Sequence, residues 1–123
     1  MFHVIRRDEL PPRPNRTVQF EGEAYGAGIS FLLVDNEPGQ GPGLHLHPYP
    51  ETWVVRAGRA LITAGEEEIE AGPGDVVVVE PATLHGFRNL GPGRLEIVCI
   101  HAAGRMVTEW LNAKPEQRPE VTS

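Results

Sequence analysis

Hydrophobic and polar residues alternate with a period of two in short runs along most of this chain. Between residues 95 and 101, Leu95, Ile97, Cys99 and His101 fall on one parity and Glu96, Val98 and Ile100 on the other. That spacing places alternate side chains on opposite faces of a strand. The same reasoning predicts strands over residues 3–6, 16–20, 28–34, 52–56, 59–63, 67–71, 75–80, 85–89, 95–101 and 106–110. Their β-branched and aromatic content favours strand, and no segment carries an apolar stripe at the helical period. Turn residues separate the runs: Gly58, Ala64-Gly65, Gly72-Pro73-Gly74 and Gly91-Pro92-Gly93. The expected class is all-β, a sandwich or barrel of many short strands.

With 123 residues, 40% hydrophobic and 23% charged, the chain has room for one domain with an ordinary core. Fourteen glycines and twelve prolines agree with frequent tight turns. The domain is expected to span residues 16–111. Residues 1–15 precede it as a first strand and a proline-rich arm at 10–15 that could reach a neighbouring subunit, and 112–123 follow it as a polar tail.

A net charge of −6 without any basic block argues against a nucleic-acid partner. Apolar runs such as 31–34 and 76–79, none longer than four residues, are too short to cross a bilayer, and the first residues lack the apolar stretch of a secretory signal. Cys99 is the only cysteine, which rules out an internal disulfide and suits a reducing compartment. A cytoplasmic protein without membrane contact is expected.

The chemistry concentrates between Gly39 and Gly58. His45 and His47 are two apart, so a strand sends both imidazoles to one side, and Glu51 follows across a Pro48-Tyr49-Pro50 bend. Two imidazoles and a carboxylate form a donor set suited to a transition metal; a lone pair of histidines is equally a hydrogen-bonded surface feature. A second stretch, 74–89, reads as a buried strand, a turn near Pro81, and His85 opening the next strand, which offers a distant fourth ligand.

These residues resemble the cupin family. Its first motif, G-x5-HxH-x3,4-E-x6-G, is filled at every fixed position by Gly39, His45, His47, Glu51 and Gly58. Its second, G-x5-PxG-x2-H-x3-N, is matched by Gly74, His85 and Asn89, with Glu80 in place of the proline and Ala82 in place of the glycine. Those departures bear on the turn before His85. The resemblance spans roughly residues 28–111 and implies a small single-domain double-stranded β-helix, or jelly-roll barrel. It further implies that His45, His47, Glu51 and His85 bind one divalent transition metal per chain: Zn, Fe, Ni, Mn, Co or Cu. Relatives of this kind include dioxygenases, isomerases, decarboxylases and cyclases, so the resemblance alone does not select a reaction.

Alternation puts Glu51, Trp53 and Val55 on one face of a strand and His85, Phe87 and Asn89 on one face of another. Trp53 and Phe87 are therefore candidates to line a pocket, or simply core. If Glu96 faces water, Cys99 and His101 point inward. His101 is then a candidate acid, base or partner of a metal ligand, and Cys99 a third lining candidate or a small buried hydrophobe. The acidic residues Glu66, Glu67, Glu68 and Glu70 fit a solvated hairpin, and Trp110 is expected as packing where the last strand closes the barrel. No serine-hydrolase, phosphate-loop, paired-cysteine or zincin motif occurs. Three functions remain: a small metalloenzyme acting on a chelating substrate, a small-molecule or metal-binding module without turnover, and a purely structural metal site. Open sheet edges and the N-terminal arm suggest a homodimer.

Overall fold

The computed structural model describes residues 1–111; the expected tail, 112–123, lies outside the described residues. Ten strands form: β1 Val18–Glu21, β2 Ser30–Asn36, β3 His45–Leu46, β4 Glu51–Ala57, β5 Ala60–Ala64, β6 Glu67–Ala71, β7 Val76–Val79, β8 His85–Asn89, β9 Leu95–His101 and β10 Glu109–Trp110. They make two five-stranded sheets, ordered β1-β2-β9-β4-β7 and β10-β3-β8-β5-β6, with every pairing antiparallel. Apart from the hairpins β1–β2 and β5–β6, consecutive strands cross between the two walls, as in a double-stranded β-helix, and the inward parity of both sheets meets in one interior.

That interior holds Leu32, Val34, Trp53, Val55, Ala60, Ile62, Ala71, Val79, Phe87, Leu95, Ile97 and Cys99. On β9, Leu95, Ile97, Cys99 and His101 are buried while Glu96 is exposed, so both residues whose direction hung on Glu96 face inward. On β4, Glu51, Trp53 and Val55 are buried together. The register irregularity on β4 falls between Val55 and Ala57. It therefore leaves the inward set from Glu51 to Val55 intact.

Three expectations need correction. Residues 3–6 form no strand and pair with no edge of this chain; the first regular element is a single 3₁₀ turn, Arg7–Glu9, since strand-like composition does not by itself recruit a ladder. Within the chain the end of the arm is anchored locally: the Arg13 amide donates to the Thr17 carbonyl, and Arg16, just after the arm, pairs with Asp35 and Glu37. The four-valine run is an edge strand, β7, in which Val76 and Val78 are 61% and 64% exposed and only Val79 is buried. A continuous apolar run mimics a doubly covered strand when its outer face is apolar for another reason. The last strand is confined to Glu109–Trp110, and Trp110 lies against the histidine cluster described below.

The turn before β8 carries the departures from the family pattern. Ala82 adopts φ of 59°, a left-handed conformation that costs a residue with a Cβ about 1–2 kcal/mol. The turn is retained because the Ala82 amide donates to the His47 carbonyl at 2.8 Å. Ala82→Gly is expected to raise stability by about 0.5–1 kcal/mol, the relief of strain exceeding the added freedom of the unfolded chain. A thermal melt checks this, and a lower melting temperature would refute it. Gly58, with φ of 83°, closes the β4–β5 turn where a Cβ would fall 2.4 Å from the Arg94 carbonyl oxygen, so this motif position admits no side chain without displacing the chain before β9.

Candidate metal centre

His45, His47, Glu51 and His85 come from three strands and the bend between two of them, and their donor atoms all lie within 4.8 Å of one another. Each residue is 0–2% exposed. His45 and His85 are directly opposite across β3 and β8, and Glu51 enters from the facing sheet as the first residue of β4. Glu51 Oε1 stands 3.2 Å from His47 Nε2 and 3.1 Å from His85 Nε2. Donors bound at about 2.1 Å to a first-row ion are separated by about 3.0 Å at right angles and about 3.4 Å at tetrahedral angles, so this spacing suits two neighbouring ligands of one ion.

The imidazole orientations are fixed from behind. Nδ1 of His45 donates to the Gly43 carbonyl at 2.7 Å, Nδ1 of His47 to the Val107 carbonyl at 2.7 Å, and Nδ1 of His85 to the Thr83 carbonyl at 2.8 Å. A carbonyl only accepts, so each Nδ1 carries its proton and each neutral ring holds its lone pair on Nε2. For His47 and His85 that lone pair faces a carboxylate, an arrangement that is repulsive until a cation stands between them. The 3.1 Å contact of His85 Nε2 with Glu51 Oε1 is a hydrogen bond only where the ring carries a proton on that nitrogen. Burial pushes the Glu51 carboxyl up, but its contacts with His101, His47 and His85 outweigh burial and hold it well below the usual carboxylate range. The donor set fits a divalent metal, and Glu51 is its anionic member.

His101 completes the carboxylate's surroundings. It is fully buried, and its Nε2 lies 3.2 Å from Glu51 Oε2. The two atoms are close enough for charge interaction but out of line, and neither has an aligned hydrogen-bond partner among the described residues. Trp53 packs edge-on against Phe87 at 5.1 Å between centroids and lies 5.6 Å from the His85 ring. The two therefore serve as core and as wall beside the cluster. Cys99 is buried one inward position from His101, opposite Trp53, where it fills volume. The exposed Glu67, Glu68 and Glu70 of β6 stay at the surface of the β5–β6 hairpin.

Three participants escaped the sequence reading. The Tyr49 hydroxyl lies 2.6 Å from His101 Nδ1 and accepts the Val107 amide at 3.0 Å. Burial pushes this phenol up to about 12, with Glu51 and Glu21 adding to the rise and the Val107 amide opposing it, so it keeps its proton at neutral pH. The Val107 main chain grips both Tyr49 and His47. Trp110 covers His45 with ring centroids 4.6 Å apart, held there by β10 pairing with β3 and by the Leu111 amide on the Leu44 carbonyl. Parity was the available signal for Tyr49: residues 45, 47, 49 and 51 continue one alternation through the proline bend.

Asn89, fixed in the family pattern, directs its hydrogen bonds away from this cluster. Its Nδ2 donates to the Asn36 and Gly93 carbonyls and its Oδ1 accepts the Gly91 amide, which pins the turn between β8 and β9. Cavities of about 200 Å³ and 260 Å³ lie near Phe87 and Gly41, and neither is lined by any of the four clustered side chains.

Residues 32–101, more than half the chain, match the family model of the cupin domain. A curated relative, the uncharacterized protein MJ1618 of Methanocaldococcus jannaschii, is 35% identical over 57 residues, 46% of this chain and 46% of that protein. Among solved structures, a mutant of Bacillus subtilis oxalate decarboxylase has a TM-score of 0.72 at 25% identity, covering 79% of this chain and 28% of that one. An uncharacterized conserved protein with a double-stranded β-helix domain from Klebsiella pneumoniae has a TM-score of 0.68 at 24% identity, covering 86% of this chain and 88% of that one. The match thus spans less than half of the curated relative and under a third of the decarboxylase.

Proposed function

Since this chain belongs to the cupin family, we propose that it binds one divalent transition metal on His45, His47, Glu51 and His85 and acts there on a small chelating substrate. One observation carries the reading: buried imidazoles with committed Nδ1 protons turn their Nε2 atoms toward a buried carboxylate at 3.1–3.2 Å. A bound metal of this kind polarises a substrate oxygen and, if iron, nickel or manganese, can exchange electrons with it. The reaction is of dioxygenase or of isomerase and cyclase type. Similarity to a protein named for oxalate decarboxylation supports a substrate with neighbouring oxygen donors.

The second reading, a binding module without turnover, is favoured by the sealing of the site. The four side chains are at most 2% exposed, and the segment through Val107 and Trp110 lies across them. Elemental analysis of protein purified without chelator, followed by a screen of small acids with the loaded protein, separates the two. Iron, nickel or manganese at about one per chain with product formed supports the enzyme; ligand binding without product at any metal loading supports the module. Protein that takes up no metal overturns both.

The partner is a second copy of this chain. On the outer face of the first sheet, Val76, Val54, Val98, Leu33 and Val18 lie in register across five strands, and Val78, Thr52, Ile100, Phe31 and Phe20 form the next row. Nine of these ten are apolar, a contiguous surface of the kind monomers rarely leave in water. A homodimer through this face explains the apolar exterior of β7. Val98→Glu is expected to convert a dimer to a monomer in analytical ultracentrifugation with the metal content unchanged; a monomeric wild type at tens of micromolar would sink the idea.

A further inference from the structure

Four histidines surround Glu51, and one is unlike the others. Nδ1 of His45, His47 and His85 each faces a main-chain carbonyl, whereas Nδ1 of His101 faces the Tyr49 hydroxyl at 2.6 Å. The Tyr49 oxygen already accepts the Val107 amide at 3.0 Å, and the phenol has a single proton to give. Two ring nitrogens are in range, His101 Nδ1 at 2.6 Å and His47 Nδ1 at 3.5 Å. His47 Nδ1 is itself a donor, to the Val107 carbonyl at 2.7 Å. The phenol proton therefore goes to His101 Nδ1, which makes that atom an acceptor and puts the ring's own proton on Nε2.

The consequence is an inversion at the centre. Three rings present lone pairs suited to a metal; His101 presents an N–H, which cannot coordinate one. That Nε2 is fully buried and lacks an aligned partner, with Glu51 Oε2 3.2 Å away and equally unaligned. A second buried N–H on the same wall, Trp53 Nε1, also has no partner; Glu51 is paired with His101 and Trp53 with Cys99 across β4 and β9. A buried donor without an acceptor keeps its desolvation penalty uncompensated, a cost that an incoming oxygen removes.

We infer that Tyr49 is a positioning residue that holds His101 as the Nε2–H tautomer, and that His101 uses this N–H to bind an oxygen of a small anionic ligand, a carboxylate or an enolate, seated at the metal. This rests on the metal reading above, and it assigns His101 as a ligand-binding donor rather than a fifth metal ligand. The ligand class follows from the polarity of the wall: an N–H selects an oxygen acceptor, and the metal's charge favours an anionic one.

The test uses the full chain with isotope-labelled histidine, metal-free and zinc-loaded, near neutral pH, with proton–nitrogen correlation spectra reporting each ring's tautomer and acetate as the probe. His101 is expected in the Nε2–H form in both states, while His45, His47 and His85 show Nδ1–H when loaded. Tyr49→Phe should move His101 toward Nδ1–H. Acetate should displace the His101 Nε2–H resonance in the zinc protein and bind about 10-fold more weakly to Tyr49→Phe and His101→Leu, as expected for loss of one charge-assisted hydrogen bond. His101→Gln, which restores a donor, should recover most of that loss. A wild-type His101 that is protonated on Nδ1, alone or together with Nε2, overturns the proposal, as does equal acetate affinity across the variants. Zinc that does not bind sinks the metal reading and the ligand half of this inference. The metal-free spectra would then still decide whether Tyr49 fixes His101, so the two failures are distinguishable.

Discussion

Glu51→Gln is expected to strip the centre of metal, lowering content from about one ion per chain to a trace and affinity by more than about 100-fold. Loss of a group that merely orients a ligand costs about 10–100-fold in affinity, and Glu51 does more than orient. It is the sole carboxylate in the cluster, touching His47 and His85 through Oε1 and His101 through Oε2. The amide keeps the shape of the side chain but removes its charge, and a neutral oxygen no longer offsets a divalent ion in a fully buried setting. The fold should survive, because the apolar core from Leu32 to Cys99 does not include Glu51. Elemental analysis with circular dichroism reads both halves; a variant that keeps one metal per chain would show that the carboxylate is not a ligand.

Metal removal is the second large effect. A ligand present at about 100 times its dissociation constant stabilises the native state by about 2.7 kcal/mol, equivalent to roughly 10 °C in melting temperature for a domain of this size. Chelator-treated protein should therefore melt about 10 °C below the loaded form and still be folded at room temperature, unlike a zinc finger, whose structure depends on its ion. The difference lies in the twelve buried core residues that pack without the metal. Equal melting temperatures would mean that the native state holds no ion under those conditions. Reloading with a divalent ion should restore the higher value.

Much of this arrangement was legible in the sequence because strand parity and motif spacing are both local. The inward set Leu95, Ile97, Cys99 and His101 followed from one charged neighbour, Glu96, and the structure buries all four. His45, His47, Glu51 and His85 were visible as a constellation, and the fold gathers them. Elements fixed by distant partners were harder to see. Residues 3–6 have strand-like composition but join no edge of this chain, and β7 has the composition of a buried strand but sits at the margin of its sheet. Parity could have turned Tyr49 inward, but its contact with the Val107 amide and the Trp110 contact with His45 depend on where the last described segment crosses the barrel, a long-range event that local pattern does not show. Glu109–Trp110 finds β3 about sixty positions back in the chain.

The main-chain grip on the imidazoles bears on how this protein can change over generations. Gly43, Thr83 and Val107 hold His45, His85 and His47 through carbonyl oxygens, groups that every residue possesses, so replacing those side chains leaves the ring tautomers in place. His101 alone takes its state from a side chain, the Tyr49 hydroxyl. Mutational drift can thus pass over three of the four histidine supports without touching the donor set. A single substitution at residue 49 would alter what the centre offers an incoming molecule while sparing its hold on the ion. On the proposed reading, such a site would be robust in its affinity for metal and mutable in its choice of ligand, a division along which relatives with different chemistry could diverge.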